Sequence, residues 1–203
     1  MQKYSVFSLI KNAFSNHQNW EVAWKDPTPK SEYDVVIIGG GGHGLATAYY
    51  LAKEHNIRNV AIIEKGWIGG GNVGRNTTII RSNFMYDANA RFNEFGMDLW
   101  RNLSQELNFN VMFSPRGIIN LAHSDAQMNA YARRGNSMRL NGIDAKLLDR
   151  DEVKKLIPMA DFSDEVRFPI FGGLMQPSAG TARHDAVAWG YARQADDMGV
   201  DII

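Results

Sequence analysis

The residues Asp34-Val-Val-Ile-Ile-Gly-Gly-Gly-Gly-His-Gly-Leu-Ala-Thr-Ala-Tyr-Tyr-Leu-Ala52, followed by Asn59-Val-Ala-Ile-Ile-Glu-Lys65, decide the fold. Val35 to Ile38 is an uncharged β-branched run, which suits a strand buried on both faces of a parallel sheet. It stops in glycine. Gly39, Gly41 and Gly44 hold a G-x-G-x-x-G spacing, and Leu45, Ala46, Ala48, Leu51 and Ala52 then give one apolar face at helical period. The stretch reads as strand, tight turn, helix.

Each glycine answers a separate requirement. Gly39 permits the turn, Gly41 leaves the backbone open to a pyrophosphate, and Gly44 lets the helix lie close on the strand, with first-turn N–H groups facing the phosphates. The second apolar run, Val60 to Ile63, ends in Glu64, about twenty residues beyond Gly44, where a carboxylate accepts hydrogen bonds from a ribose 2′-hydroxyl. An acid there disfavours a 2′-phosphate and hence NADP. The bland alternative is a buried strand ending in a solvated Glu64-Lys65 pair.

Around this unit, composition sets outer limits. At 203 residues the chain can bury a real core as one domain or two small ones. Its formal net charge of zero gives no long-range attraction to nucleic acid or an anionic membrane, so neither partner is expected. The lack of cysteine excludes disulfides, thiolate metal sites and a cysteine nucleophile. The histidines His17, His43, His55, His123 and His184 show no metal-ligand spacing, so no metal is expected.

Before the first strand, residues 1–20 carry Lys3 and Lys11 without an acid, with Phe7, Ile10 and Phe14 near helical spacing. The stretch reads as a transit peptide or, preferably, as an extension that packs on the domain or on a partner. Trp20, Trp24, Pro27 and Pro29 lead into the strand, the tryptophans as candidate contacts.

After Lys65, the loop Gly66-Trp-Ile-Gly-Gly-Gly-Asn-Val-Gly-Arg-Asn-Thr-Thr-Ile-Ile-Arg-Ser82 places backbone close to something. Asn72, Arg75, Asn76, Thr77 and Thr78 add hydrogen-bonding groups suited to a pyrophosphate or flavin ring, a polar surface loop being the alternative. Arg81 stands where a guanidinium can grip a carboxylate at a pocket edge, or form an ordinary surface ion pair.

Further on, residues 88–107 read as a helix whose apolar face (Ala90, Phe92, Phe95, Leu99, Trp100, Leu103) is core, and 110–122 as a strand pair bent at Ser114-Pro-Arg-Gly117. Residues 124–140 read as a helix, Asp149 caps a short helix over 150–157, and Phe168 to Met175 is a strand interrupted by Gly172-Gly173. From Asp185 a helix begins, with Thr181 or His184 near its start. A neutral imidazole is easier than a cation there, though a lone histidine in such a place is more often solvated or core. Val200 to Ile203 reads as the next strand of the sheet, and the natural chain is expected to continue into the second half of that sheet and the rest of a substrate domain.

Three separated motifs carry a resemblance: Tyr33 to Ala52, Gly69-Gly-Gly-Asn-Val-Gly-Arg-Asn-Thr-Thr-Ile-Ile-Arg-Ser-Asn83, and Gln176-Pro with Gly180-Thr-Ala-Arg-His-Asp-Ala-Val-Ala-Trp189. From about residue 20 onward the chain resembles the β subunits of heterotetrameric sarcosine oxidases, roughly half of such a subunit. The resemblance implies an α/β, Rossmann-like FAD-binding domain with an inserted α+β substrate domain, here truncated. The boundaries are an N-terminal extension (1–30), the FAD-binding βαβ and flavin loop (31–85), part of the substrate domain (86–180) and a helix and strand returning to the first domain (181–203). It implies noncovalent FAD on Gly39, Gly41, Gly42, His43, Gly44, Glu64 and Lys65, with Asn72, Arg75, Asn76, Thr77 and Thr78 near the isoalloxazine. It further implies FMN joined covalently through its 8α-methyl carbon to His184, and Arg81 on the substrate carboxylate.

The activity implied is oxidation of sarcosine to glycine. The one-carbon unit leaves as formaldehyde or passes to tetrahydrofolate, and dioxygen is reduced to hydrogen peroxide. The implied partners are α, γ and δ subunits, NAD belonging to α alone, in the cytoplasm. A single-flavin FAD amino-acid oxidase or dehydrogenase, with His184 incidental, and a subunit without activity of its own are the competing readings.

Overall fold

A computed structural model describes residues 5–18 and 25–203. The tryptophan contacts expected at Trp20 and Trp24 lie outside the described residues. The chain divides into two compact units, residues 1–75 with 184–203, and residues 76–183.

The first unit is built on a parallel sheet ordered β1 (Val35–Ile38), β2 (Val60–Ile63), β8 (Asp201–Ile202), with Val35 opposite Val60, Ile38 opposite Ile63 and Ile62 opposite Ile202. Helix α2 (Gly42–His55) follows β1 directly and closes at Asn56, whose φ of 54° ends the helix in the left-handed conformation. Helix α6 (His184–Asp197) packs on α2 and delivers β8 beside β2, as the pattern at residues 185–203 indicates. The core joins Leu45, Ala48, Tyr49 and Ala52 of α2 to Val187, Ala188, Tyr191 and Ala195 of α6 over Val60 and Ile62. Tyr49 and Tyr191 meet edge to face, their ring centres 5.5 Å apart.

One expectation fails here. Strand β1 is covered on one face only: Ile37 lies toward α2, whereas Val36 is exposed and Ile38 is 90% exposed. The β-branched run encodes two-sided burial, and the described residues supply one side. The N-terminal helix α1 (Val6–Phe14), capped by Ser5, does carry Phe7, Ile10 and Phe14, with none of its residues buried.

In the second unit, a three-stranded antiparallel sheet is ordered β4 (Ile118–Ala122), β6 (Gly172–Gln176), β5 (Lys146–Asp149). Leu174 of the central strand enters a core of Ala90, Met138 and Ile143, between α3 (Asp87–Glu106) and α4 (Asp125–Leu140), while Met175 packs on a second core around Leu148, Val153 and Ile170. Asp149 caps α5 (Arg150–Leu156) in a reciprocal box with Glu152. A short ribbon pairs β3 (Ile79–Ile80) with β7 (Gly180–Thr181).

Three sequence expectations are corrected in this unit. Residues 110–113 form no strand, and only Ser114 bridges to Thr181, so β4 pairs with β6 instead of with its own preceding segment. Gly172 and Gly173 open β6 instead of interrupting it. A Cβ at Gly173 would stand 2.9 Å from Ile119 Cγ2 and one at Gly172 2.5 Å from the Leu148 carbonyl oxygen, so close strand packing, not a bend, requires these glycines. On α3 the buried residues are Ala90, Met97 and Leu103, whereas Phe92 and Phe95 are 77% and 65% exposed. Helical period places those aromatics on one face without saying what covers it.

Candidate functional site

Gly39 adopts a φ of 106°, the left-handed turn that the spacing requires, and a Cβ on Gly44 would collide with the Gly39 carbonyl oxygen while standing 3.2 Å from Ile37 Cγ2. The helix can therefore begin on top of the strand end. The first i to i−4 bond of α2 runs from Leu45 N–H to the Gly41 carbonyl at 3.0 Å, which leaves the N–H groups of Gly42, His43 and Gly44 in the open first turn. They form the positive end of the helix.

Glu64 is held at the rim of this turn. Its Oε2 accepts from Gly40 N–H at 2.8 Å and its Oε1 from Gly66 N–H at 2.9 Å, so the carboxylate is oriented by backbone and each oxygen keeps lone pairs for a further donor. Lys65, the next residue, is exposed, as is His43 in the first turn of α2. The glycine-rich loop closes on the same turn: Gly69 N–H donates to the Gly40 carbonyl at 2.9 Å, and Val73, in a 3₁₀ turn over Asn72–Arg75, would touch a Cβ placed on Gly42 at 3.3 Å. The structure thus brings Gly39 to Gly44, Glu64 and the Asn72–Arg75 turn together. His184 opens α6, which packs against that turn through Ala188 and Gly69. Its Nδ1 is enclosed and has no hydrogen-bond partner.

Asn76, Thr77, Thr78 and Arg81 fall in the second unit. Asn76 Oδ1 accepts from Thr78 N–H at 2.6 Å, and Thr78 has a φ of 59°, an Asx-type turn leading into β3. Arg81 lines a cavity of about 310 Å³ with Ile79, Ile80, Phe92, Phe95, Leu99 and Trp100. The exposed aromatics of α3 are thus walls of a mainly apolar recess in which the Arg81 guanidinium and the Asn93 amide are the polar side chains. Its Nη1 donates to Asn83 Oδ1 at 2.7 Å, and its guanidinium carbon lies 5.3 Å from the centre of the Phe84 ring.

Residues 34–203 match the family described as FAD dependent oxidoreductase. The chain belongs to that family. The family's FAD finds fitting residues in the first unit: a turn in which a Cβ at Gly44 has no room, open helix N–H groups for phosphate and a backbone-oriented acid for ribose. The sarcosine oxidase β subunit of Rhizobium meliloti is 61% identical over 99% of this chain and 48% of its own length. That of Rhodobacter capsulatus is 53% identical over 100% of this chain and 49% of its own length. Among solved structures, L-proline dehydrogenase from P. horikoshii superposes with a TM-score of 0.77 at 28% identity, covering 86% of this chain and 44% of its own. The chain spans about half the length of these relatives.

Some site residues escaped the sequence reading. Gly40, which orients Glu64, was hidden among four consecutive glycines. Asn83, which bonds Arg81, and Asn120 and Arg134, which bond Asn83, come from separate elements and carry no local pattern. Among the described residues no helix is long and apolar enough to cross a membrane, and no cluster of metal-ligating side chains occurs.

Proposed function

We propose that this chain forms the FAD-binding part of the β subunit of a heterotetrameric sarcosine oxidase. The observation that carries the proposal is identity of 61% to such a subunit across 99% of the chain. Bound flavin supplies the two-electron oxidation, and the protein supplies placement and electrostatics. The overall reaction takes sarcosine, water and dioxygen to glycine, formaldehyde and hydrogen peroxide, or hands the one-carbon unit to tetrahydrofolate.

Each residue has a task in this reading. The open N–H groups of Gly42, His43 and Gly44 bind the FAD pyrophosphate, Glu64 accepts from its ribose, and the Asn72 to Thr78 segment lies near the isoalloxazine. Arg81 holds the sarcosine carboxylate, which fixes the N-methyl group relative to the ring. His184 carries FMN covalently. The enclosed, unpartnered Nδ1 supports that role: with Nδ1 shielded from solvent, the other ring nitrogen is the one left to bond. The α, γ and δ subunits complete the assembly, NAD sits in α, and the complex works in the cytoplasm.

The test uses the full-length subunit in its complex. Sarcosine-dependent peroxide formation is expected, and flavin fluorescence should stay with the β polypeptide after denaturation. His184→Ala should abolish that retention while FAD still binds. A colourless complex, or one inert toward sarcosine, refutes the proposal.

A further inference from the structure

Behind Arg81 lies a buried polar arrangement that the proposed reaction has not yet used. Asn83, with no solvent exposure, follows Arg81 by two residues and offers its Oδ1 to two guanidiniums, Arg81 Nη1 at 2.7 Å and Arg134 Nη2 at 3.2 Å. Arg134 also grips the Asn83 carbonyl oxygen through Nε at 2.7 Å and through Nη2. The amide cannot be turned over. Both guanidiniums are pure donors and need an oxygen, while Nδ2 donates to Asn120 Oδ1 at 2.8 Å.

Two cations are thus joined through a neutral bridge. Among the described residues neither Arg81 nor Arg134 forms an ion pair with a carboxylate. Burial and the neighbouring Arg81 charge both press the Arg134 pKa downward. Such a pair attracts any anion that reaches it. Only Arg81 lines the cavity, so the anion is met there, with Arg134 adding field from behind. The bridge occupies Nη1 of Arg81 and the Phe84 ring stands against its face, which leaves the Nε and Nη2 edge for a bidentate carboxylate.

The backbone beside Arg81 is braced too. Ser82 N–H donates to Gln176 Oε1 at 3.1 Å, and Gln176 Nε2 donates to Ser82 Oγ at 2.7 Å, both side chains being fully buried.

We propose that Asn83 is the positioning residue of the substrate-anion site: its buried amide oxygen aims Arg81 and couples it to Arg134, so that a doubly cationic recess selects amine substrates bearing a carboxylate. This rests on the reading of Arg81 as the carboxylate-binding group. It adds that a neutral bridge is required, because a carboxylate at position 83 would neutralise the pair from inside.

The experiment uses the full-length subunit in its holo complex, with sarcosine as substrate and methoxyacetate as an unreactive carboxylate probe read by its perturbation of flavin absorbance. Asn83→Asp should raise KM for sarcosine and weaken methoxyacetate binding in parallel, each by about tenfold, with kcat changed far less. A merely structural role would lower kcat and flavin content without this split. Arg134→Gln, which leaves the bridge in place, should weaken both constants by about threefold, and it decides the matter if Asn83→Asp does not assemble. KM and probe affinity within twofold of wild type in either assembled variant would overturn the proposal. Arg81→Gln separates the two levels. If it leaves KM unchanged, the carboxylate reading fails; if it raises KM while Asn83→Asp does not, only the role of Asn83 fails.

Discussion

Replacing Gly44 by alanine sets two effects against each other. In a helix interior the change favours folding by about 1 kcal/mol, because glycine forfeits more backbone freedom than alanine. At this position the new methyl falls inside contact distance of the Gly39 carbonyl oxygen and 3.2 Å from Ile37 Cγ2. Both obstacles are anchored: Gly39 N–H is bonded to the Ile63 carbonyl at 2.8 Å, and Ile37 is paired with Ile62 in the sheet. The helix must retreat from the strand by roughly 1 Å, and overpacking of this kind costs about 1–3 kcal/mol, with backbone obstacles at the upper end. The net expectation is a loss of about 2 kcal/mol, or roughly 4–8 °C in Tm for a domain of this size. The same displacement draws the first-turn N–H groups off the phosphates, so FAD affinity should fall by about tenfold or more. Thermal unfolding and FAD titration of the apo full-length protein measure both. Gly71→Ala, where an added Cβ meets nothing within 4 Å, is the control for stability and should leave Tm unchanged. Gly44→Ala with Tm within a degree and FAD affinity within twofold of wild type refutes the close-packing argument.

Glu64→Gln keeps the shape but weakens the hydrogen bonds from Gly40 and Gly66, and FAD dissociation followed by flavin fluorescence should show about tenfold weaker binding. Leu174→Ala removes a fully buried side chain between α3 and α4 and should cost about 2–5 kcal/mol in urea unfolding. Gly96→Ala, in the middle of α3 with nothing within 4 Å of the new methyl, should instead stabilise by up to about 1 kcal/mol, and a lowered urea midpoint would contradict it.

What the sequence disclosed was local. A strand, a turn that needs glycine and a helix lie consecutively between Val35 and His55, and each leaves its mark on adjacent residues. The Asp149 cap and the β8 strand were readable for the same reason. Strand β5 was not, since Lys146-Leu-Leu-Asp149 is too short to display a period of two, and of its two leucines Leu148 is buried only through distant neighbours such as Val153 and Ile170. The glycines of β6 misled for a related reason: a residue chosen for the closeness of neighbouring strands resembles one chosen for a bend.

The site divides along the same line. Glu64 and the glycine turn act through backbone groups within about 25 positions of one another, so spacing alone could place them. Arg81 could be picked out, but what makes it more than a surface arginine could not. Its bridge Asn83 is held by Asn120 of β4 and Arg134 of α4, and Ser82 by Gln176 of β6. An asparagine two positions after an arginine in a loop reads as solvated. It becomes a buried junction only when two distant elements, β4 and α4, converge on it, and the absence of an ion pair to either guanidinium among the described residues is what the proposed pull on an anion rests on. The polar groups that tune such a site are therefore the ones a linear reading discards first, because their meaning lies in partners tens of residues away.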